Sequence, residues 1–273
     1  MQILRELLAL AVIATLCTMT QAAHSAESMD VASSQHFDGK PLQGGVQHSE
    51  VLPQLIEDLR PGKVYSDDIL LKSSTAANDI WYHIPSWYAG VRHCEDEMIV
   101  YRYDYKTDKT TQPMQKQLNR QDSTGGYQKD RNNGIWDYKH LPMIQHVESD
   151  LVNAVLLVKS ITPVKETDEQ FVIKYEEVSI SFDKRTNKIV RVVQQEQINT
   201  ITSPEPGMLR VDASAKSFGW DGQPLRKEQS IIFSNVIKPF EQIDKLGDVD
   251  LKASFKDFLI ANHKENLLPD SSK

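Results

Sequence analysis

Apolar and polar residues alternate with a period of two through most of the chain after residue 90. In residues 99–105 an isoleucine and three tyrosines occupy every second position, and in residues 178–182 apolar residues alternate with serines. Side chains of a β-strand point to opposite faces in turn, so this pattern is typical of strands with one buried face.

Turn sequences separate these segments in the manner of antiparallel hairpins. Residues 104–109 and 183–188 share aspartate, threonine and lysine around the predicted tip, and residues 220–224 contain Asp-Gly followed by proline. Residues 153–161 and 170–182 form another predicted strand pair. The pattern indicates about eight to ten strands.

Helical periodicity appears only near the two ends of this region. In residues 52–59, Leu52, Leu55, Ile56 and Leu59 recur at helical spacing, and residues 251–259 repeat the pattern. Residues 112–133 are polar and predict a long loop. The predicted fold is mainly β, an antiparallel meander forming a barrel or strongly curved sheet, with a short N-terminal and a C-terminal helix.

The N-terminus has the features of a secretory signal. Arg5 precedes an apolar run over residues 7–19, and small residues follow near Ala22 and Ser25. An uncleaved anchor is the alternative. The predicted organisation is a signal peptide at 1–22 with cleavage possibly as late as 26, a flexible leader at 23–48, one β-rich domain at 49–265 and a tail at 266–273.

This organisation predicts an exported protein, periplasmic or secreted, without an integral membrane span after processing. The mature chain keeps one cysteine, Cys94, so it forms no internal disulfide. A small buried core residue is the expected role of Cys94, and an intermolecular disulfide is the alternative. The formal net charge of −7 argues against a general affinity for nucleic acid or anionic lipid.

Aromatic residues crowd the start of the predicted sheet. Residues 81–105 contain two of the four tryptophans and five of the nine tyrosines. Within this stretch, residues 87–92 read Trp-Tyr-Ala-Gly-Val-Arg and resemble the opening of a lipocalin or related calycin barrel. Arg92 stands where that family has tryptophan. The resemblance implies an up-and-down barrel whose apolar interior takes a small lipophilic ligand.

Candidate metal ligands follow directly. On a regular strand, His93, Glu95 and Glu97 share one face, and an imidazole with two carboxylates can hold a divalent cation if a fourth group converges. The alternative is a solvated strand face of mixed charge, and we predict no resident metal or other cofactor. Because familiar nucleophile, phosphate-loop and zinc-protease motifs are absent from the sequence, an enzyme is disfavoured.

Three functional hypotheses follow. The first is an exported barrel-like protein that binds a small apolar or amphipathic ligand, and its predicted ligand-binding residues are Trp81, Trp87, Tyr101, Tyr103 and Trp136. The second is an interaction or assembly component of the cell envelope or surface, with a protein partner. The third is a hydrolase-like enzyme that uses His93 and the adjacent carboxylates.

Overall fold

The computed structural model describes residues 47–73, 77–148 and 152–269, and this part of the chain contains fourteen β-strands and two α-helices. The strands are β1 (Asn78–Ile84), β2 (Gly90–Asp104), β3 (Lys109–Thr111), β4 (Gln115–Gly125), β5 (Gln128–Lys129), β6 (Ile135–Leu141), β7 (Met143–Glu148), β8 (Val152–Glu166), β9 (Gln170–Asp183), β10 (Ile189–Glu205), β11 (Met208–Phe218), β12 (Pro224–Lys238), β13 (Lys245–Leu246) and β14 (Val249–Asp250). The helices are α1 (Asp67–Ser73) and α2 (Leu251–Ala261), and single 3-10 turns lie at Glu57–Leu59, Ser86–Tyr88 and Glu265–Leu267.

The main sheet is an antiparallel meander. Strands β7 to β12 pair with their neighbours in chain order, β12 then pairs with β2, and β2 carries β3 and β4 on its other edge. The antiparallel prediction is therefore confirmed. Edge strands β4 and β7 do not pair with each other within the described residues, so no closed barrel is formed there.

The three predicted hairpins are present and two of them use the same turn. Asp104 accepts hydrogen bonds from the backbone N–H and hydroxyl of Thr107, and Asp183 accepts the same pair from Thr186. An aspartate that binds the backbone ahead of it favours reversal of the chain. This local chemistry explains why the two turns were predictable from sequence.

One face of the main sheet is concave. A single cavity is bordered by Gln117 of β4, Glu97 of β2, Ser230 of β12, Ala213 of β11 and Gln197 of β10. In a flat sheet, strands four positions apart lie about 19 Å from each other. Residues of these five strands can border one small cavity only because the sheet curves. We call the side of the sheet that faces this cavity the concave face.

A second sheet covers part of the concave face. It has the order β1-β6-β5, and its apolar side chains pack with those of β8 to β11 in one buried cluster. The members of this cluster include Tyr82, Ile84, Ile135, Phe171, Ile173, Tyr175 and Ile201. The small sheet therefore closes one end of the concave face.

The convex face is covered by the chain before β1. Leu59, Tyr65 and Leu70 are buried against the convex side chains of β8 to β10. Nearby, Glu196 accepts hydrogen bonds from the backbone N–H of Ser49 at 2.7 Å and from Lys174 Nζ at 2.7 Å. The predicted signal peptide and most of the predicted leader lie outside the described residues.

The predicted N-terminal helix over 52–59 is wrong except for its last turn. The N–H groups of Leu52 and Leu55 donate to the carbonyls of Gly222 and Trp220, each at 3.0 Å, which holds this segment extended along the β11–β12 turn. A Cβ at position 222 would lie 1.8 Å from the Leu52 carbonyl oxygen, so this approach requires glycine. Tertiary hydrogen bonds thus override the helical spacing.

The predicted loop over 112–133 is also wrong, because residues 115–125 form β4. The inward positions of β4 are amides and a serine, including Gln117, Asn119 and Gln121. The side chains of β4 do alternate between the two faces, but the inward ones are polar because the concave face at this edge is itself polar. The usual alternation of apolar and polar residues is therefore missing from the sequence.

The predicted C-terminal helix is confirmed as α2. Asp250 caps it by accepting a hydrogen bond from the Ala253 N–H at 2.9 Å. Leu251, Phe255 and Leu259 bury one side of the helix against the aromatic residues of β1 and β6. Among the described residues, no helix has the length and apolar content needed to cross a bilayer.

Candidate functional site

A cleft of about 290 Å³ lies where the small sheet meets the edge strand β7 and the β13–β14 hairpin. We call it the Lys139 cleft, and it is lined by Tyr127, Tyr138, Lys139, His140, Pro142, Met143, Ile144 and Leu246. Pro142 alone separates β6 from β7, so the chain passes between the two sheets at this point. That crossing places residues of both sheets on one cleft wall.

Lys139 provides the positive charge of the cleft. Its side chain is only 6% exposed, and its Nζ lies 3.0 Å from Asp137 Oδ2 and 5.4 Å from the centre of the Tyr127 ring. Asp137 also accepts hydrogen bonds from the Tyr82 hydroxyl and the Gly126 N–H. An ammonium group carries three donors, so pairing with Asp137 leaves donors for a ligand.

The Tyr127 hydroxyl adds a neutral donor. Burial raises the pKa of Tyr127 well above its usual value, and the negative charge of Asp137 raises it further. The hydroxyl therefore keeps its proton at physiological pH. No hydrogen bond from this hydroxyl to another part of the described chain is formed.

The rim of the cleft is held by Asp79. This carboxylate accepts a hydrogen bond from the Tyr138 hydroxyl at 2.8 Å and lies 2.6 Å from His140 Nδ1. Burial, followed by the contact with Asp79, raises the pKa of Tyr138. The Tyr138 ring is thereby fixed in place at the cleft.

The remaining lining residues of the cleft are apolar, and they are Pro142, Met143, Ile144 and Leu246. Ligand pockets typically measure about 300–1,000 Å³ and combine apolar walls with a few converging polar groups. The cleft is at the small end of that range and has both kinds of lining. Its arrangement suits a small amphipathic molecule.

Comparison of the chain with family models, curated proteins and solved structures finds no match. The site is therefore argued from its own geometry.

A second polar region lies on the concave face of the main sheet. Along β10, Gln195 donates to Gln197 at 3.2 Å and Gln197 donates to Asn199 at 3.0 Å. Across the cavity on β4, Gln121 donates to Asn119 at 3.1 Å. These amides line the inside of the curved sheet, where an apolar interior was expected from the lipocalin resemblance.

Two carboxyl groups are buried in this region. Burial raises the pKa of Glu97, while hydrogen bonds from Ser230 and Gln117 act in the opposite direction. Burial alone raises the pKa of Glu177 to about 8. Both groups therefore favour the protonated form more than an exposed glutamate does.

The five predicted ligand-binding residues lie in three different places. Trp81 and Trp136 are buried under α2, and the Trp87 Nε1 donates to the Asp168 carbonyl at 2.7 Å near the β8–β9 turn. Tyr101 and Tyr103 are half-buried on the convex face. The structure thus does not assemble these residues around one pocket, although their role in binding stays a prediction.

A β-bulge explains the placement of the two tyrosines. The pairing of β2 with β12 shifts between Ile99 and Tyr101, so Ile99 faces the concave cavity while Tyr101 and Tyr103 point to the other side. Strict alternation had placed all three on one face. A bulge adds one residue to a strand and inverts the pattern beyond it.

The predicted metal candidates are separated in the same way. His93 lies between Glu95 and Asp122, with its ring nitrogens 2.8 and 2.6 Å from their carboxylates, and hydrogen bonds from these groups raise its pKa. Another bulge between Cys94 and Glu97 turns Glu97 to the concave face. Within the described ranges, no group of three His, Cys, Asp or Glu side chains is arranged to hold a metal ion.

Sequence reasoning did not select Lys139, Tyr127 or Arg92. The sequence signal for Lys139 was a pair of charges in a strand of mostly apolar and aromatic residues. Asp137 and Lys139 are two positions apart within Ile135–Leu141, so they lie on the same side of the strand. Two opposite charges at positions i and i+2 of a buried strand indicate a paired interior contact. Arg92 was noted only as a departure from the lipocalin pattern.

Proposed function

We propose that the protein binds a small amphipathic molecule in the Lys139 cleft. The observation that carries this proposal is the nearly buried side chain of Lys139 in the lining of a 290 Å³ cleft that also has apolar lining residues. The proposal keeps the ligand class inferred from sequence and moves the site to a different set of residues.

The polar and the apolar lining residues define the ligand chemistry. A hydrogen-bond acceptor, preferably an anionic one, faces the Lys139 ammonium and the Tyr127 hydroxyl. An apolar group of a few carbon atoms packs against Met143, Ile144 and Leu246, where removal from water contributes about 0.8 kcal/mol per buried methylene. Charge-assisted hydrogen bonds then orient the molecule in the cleft.

A dye titration tests the site directly. The probe is 1-anilinonaphthalene-8-sulfonate, an amphipathic anion whose fluorescence rises in apolar surroundings. Leu246→Trp fills the cleft from the β13–β14 hairpin, and Lys245→Trp is its matched control because Lys245 is the exposed neighbour on the same hairpin. We expect saturable binding that Leu246→Trp weakens at least about tenfold and Lys245→Trp leaves unchanged.

Equal dye affinity in the two tryptophan variants would contradict the proposal, because the dye would then occupy another surface. Loss of binding in both variants would point to a damaged hairpin, and circular dichroism of each variant separates this case. Lys139→Met combined with Asp137→Asn supplies an independent reading, since the double variant removes the positive charge without leaving the Asp137 carboxylate buried and unpaired.

Export belongs to the same proposal. The support is the signal-like sequence over residues 1–22 and the single cysteine of the mature chain. N-terminal sequencing of the protein recovered from the exported fraction tests it, with a new terminus expected between residues 23 and 27. The resemblance to lipocalins also stays a prediction, supported by the opening motif and the curvature of the main sheet.

A further inference from the structure

We propose a second binding site, for a small carboxylate, in the cavity beside Arg92 on the concave face. The cavity measures about 60 Å³ and is bordered by Tyr88, Arg92, Cys94, Gln121, Ser123 and Asn199 among others. It shares no lining residue with the Lys139 cleft. The two sites are therefore separate cavities, and Asp137, the partner of Lys139, acts on Arg92 only through its charge.

The guanidinium of Arg92 is held rigidly. Its Cζ lies 3.8 Å from the centre of the Tyr88 ring. On Gly125, a Cβ would come within 3.1 Å of Arg92 Nη2 and 3.3 Å of its Cζ, so the bare glycine backbone leaves room for the group. Stacking on one aromatic ring and packing beside a glycine fix the plane of the guanidinium.

This fixed cation is buried without an ion pair among the described residues, and the negative charge of Asp137 favours its charged form without direct contact. Arg92 is only 4% exposed, its Nε has no hydrogen-bond partner, and none of the described carboxylates forms an ion pair with it. An arginine keeps its charge at all physiological pH values. Burying such a charge is costly unless a partner neutralises it, so the cavity is suited to an anion.

Other polar groups around the cavity complete the site. Ser123, Ser234 and Asn199 offer hydroxyl and amide donors. Gln121 donates from its Nε2 to Asn119, and its Oε1 is buried without a partner. This oxygen is an acceptor, so the donors for a bound anion come from Arg92, the two serines and Asn199.

Size and shape select the class of anion. One water needs about 10–15 Å³ of such space, so a cavity of this volume admits a few water-sized groups and no large molecule. A planar carboxylate matches the guanidinium group, because its two oxygens can accept parallel hydrogen bonds from guanidinium N–H groups. The occupant is a free small carboxylate or the carboxylate end of a chain that enters through the open side.

Calorimetric titration of the mature protein with sodium formate tests the site, after dialysis against a carboxylate-free buffer. We expect saturable one-to-one binding that Arg92→Met weakens at least about tenfold. The control is Arg120→Met, which removes an exposed arginine that pairs with Glu95 on the outer side of β4. This control should bind formate as the unmodified protein does.

A second variant keeps Arg92 and so guards against misfolding of Arg92→Met. Gly125→Ala pushes a methyl group towards the guanidinium and should also weaken formate binding at least about threefold. Titration with decanoate distinguishes the two sources of carboxylate. Tighter binding of decanoate than of formate would favour the carboxylate end of a chain as the occupant. Absence of formate binding, or equal binding by Arg92→Met and Arg120→Met, would overturn the proposal.

Discussion

Lys139 Nζ lies 3.0 Å from Asp137 Oδ2, and the two side chains are only 6% and 2% exposed. Both residues project from the same side of β6, two positions apart. The pair holds the charge of Lys139 in the lining of a cleft that also has apolar lining residues. A buried ion pair is expensive to form, because the attraction between the charges must offset the cost of removing both from water.

Removal of the ammonium should destabilise the fold as well as weaken binding. Lys139→Met leaves the Asp137 carboxylate buried with only neutral donors, which should cost about 3–5 kcal/mol in the free energy of unfolding. Urea titration measures this cost. Asp137→Asn added to Lys139→Met should restore part of the loss, and an equally unstable double variant would argue against the pair.

Glu177 should make stability fall as pH rises. Burial raises its pKa in the folded protein to about 8 from a usual value of 4.5, so the unfolded chain releases this proton first. The contribution is fully present below about pH 4.5 and lost progressively up to about pH 8. Glu177→Gln should therefore match the parent protein at pH 4 and exceed its stability by up to roughly 4 kcal/mol at pH 9.

Urea unfolding at these pH values provides the measurement for Glu177. The control is Glu176→Gln, since Glu176 is the next residue, points to the convex face and pairs with Lys174. If the stability difference between Glu177→Gln and the parent protein does not change with pH, the raised pKa of Glu177 is contradicted.

Glu196 should act in the opposite direction. Burial would raise its pKa, but the close contact with His48 and the hydrogen bonds from Lys174 and Ser49 outweigh this effect and lower it below the usual value. Its stabilising contribution is thus present above the pKa of the unfolded chain and is lost as pH falls. Glu196→Gln should cost about 3 kcal/mol at pH 7, with the difference shrinking below about pH 4.

The same urea series measures the effect at Glu196. A Glu196→Gln protein as stable as its parent at pH 7 would show that residues 48–50 are not held by this carboxylate. Ser49→Ala removes the hydroxyl donor alone and should give a smaller loss of about 1 kcal/mol.

Cys94 should react slowly in the folded protein. The thiol is 5% exposed, and burial raises its pKa, so little thiolate is present to attack a reagent. Labelling with an aromatic disulfide should be at least about a hundredfold slower than in urea. Rapid labelling, or a dimer that is split by reductant, would favour the intermolecular disulfide considered from sequence.

Much of the fold could be predicted from local signals. The turns at Asp104 and Asp183 and the capped helix α2 depend on contacts within a few residues, and these signals are visible in sequence. The extended course of Leu52 to Leu55 depends on carbonyls of a turn more than 160 residues away. No local pattern contains that information.

The candidate site was less predictable, because bulges control which side chains face inward. A single extra residue between Cys94 and Glu97 separates Glu97 from His93, and another separates Tyr101 from Ile99. Polar residues on the concave face also hid β4, since the usual apolar alternation is missing there. Lys139 and Tyr127 come together within the small sheet, because the Tyr127 N–H donates to the Trp136 carbonyl of β6, but Met143 and Leu246 join them only when other elements are assembled.

Native mass spectrometry of the mature protein, purified from the exported fraction without detergent, tests the ligand-binding proposal most directly. We expect an additional mass of a small molecule that disappears on denaturation, that is retained by Lys245→Trp and that is lost in Leu246→Trp. An extra mass retained by both tryptophan variants, or a protein that is bare and also fails to bind the dye, would contradict binding in the Lys139 cleft.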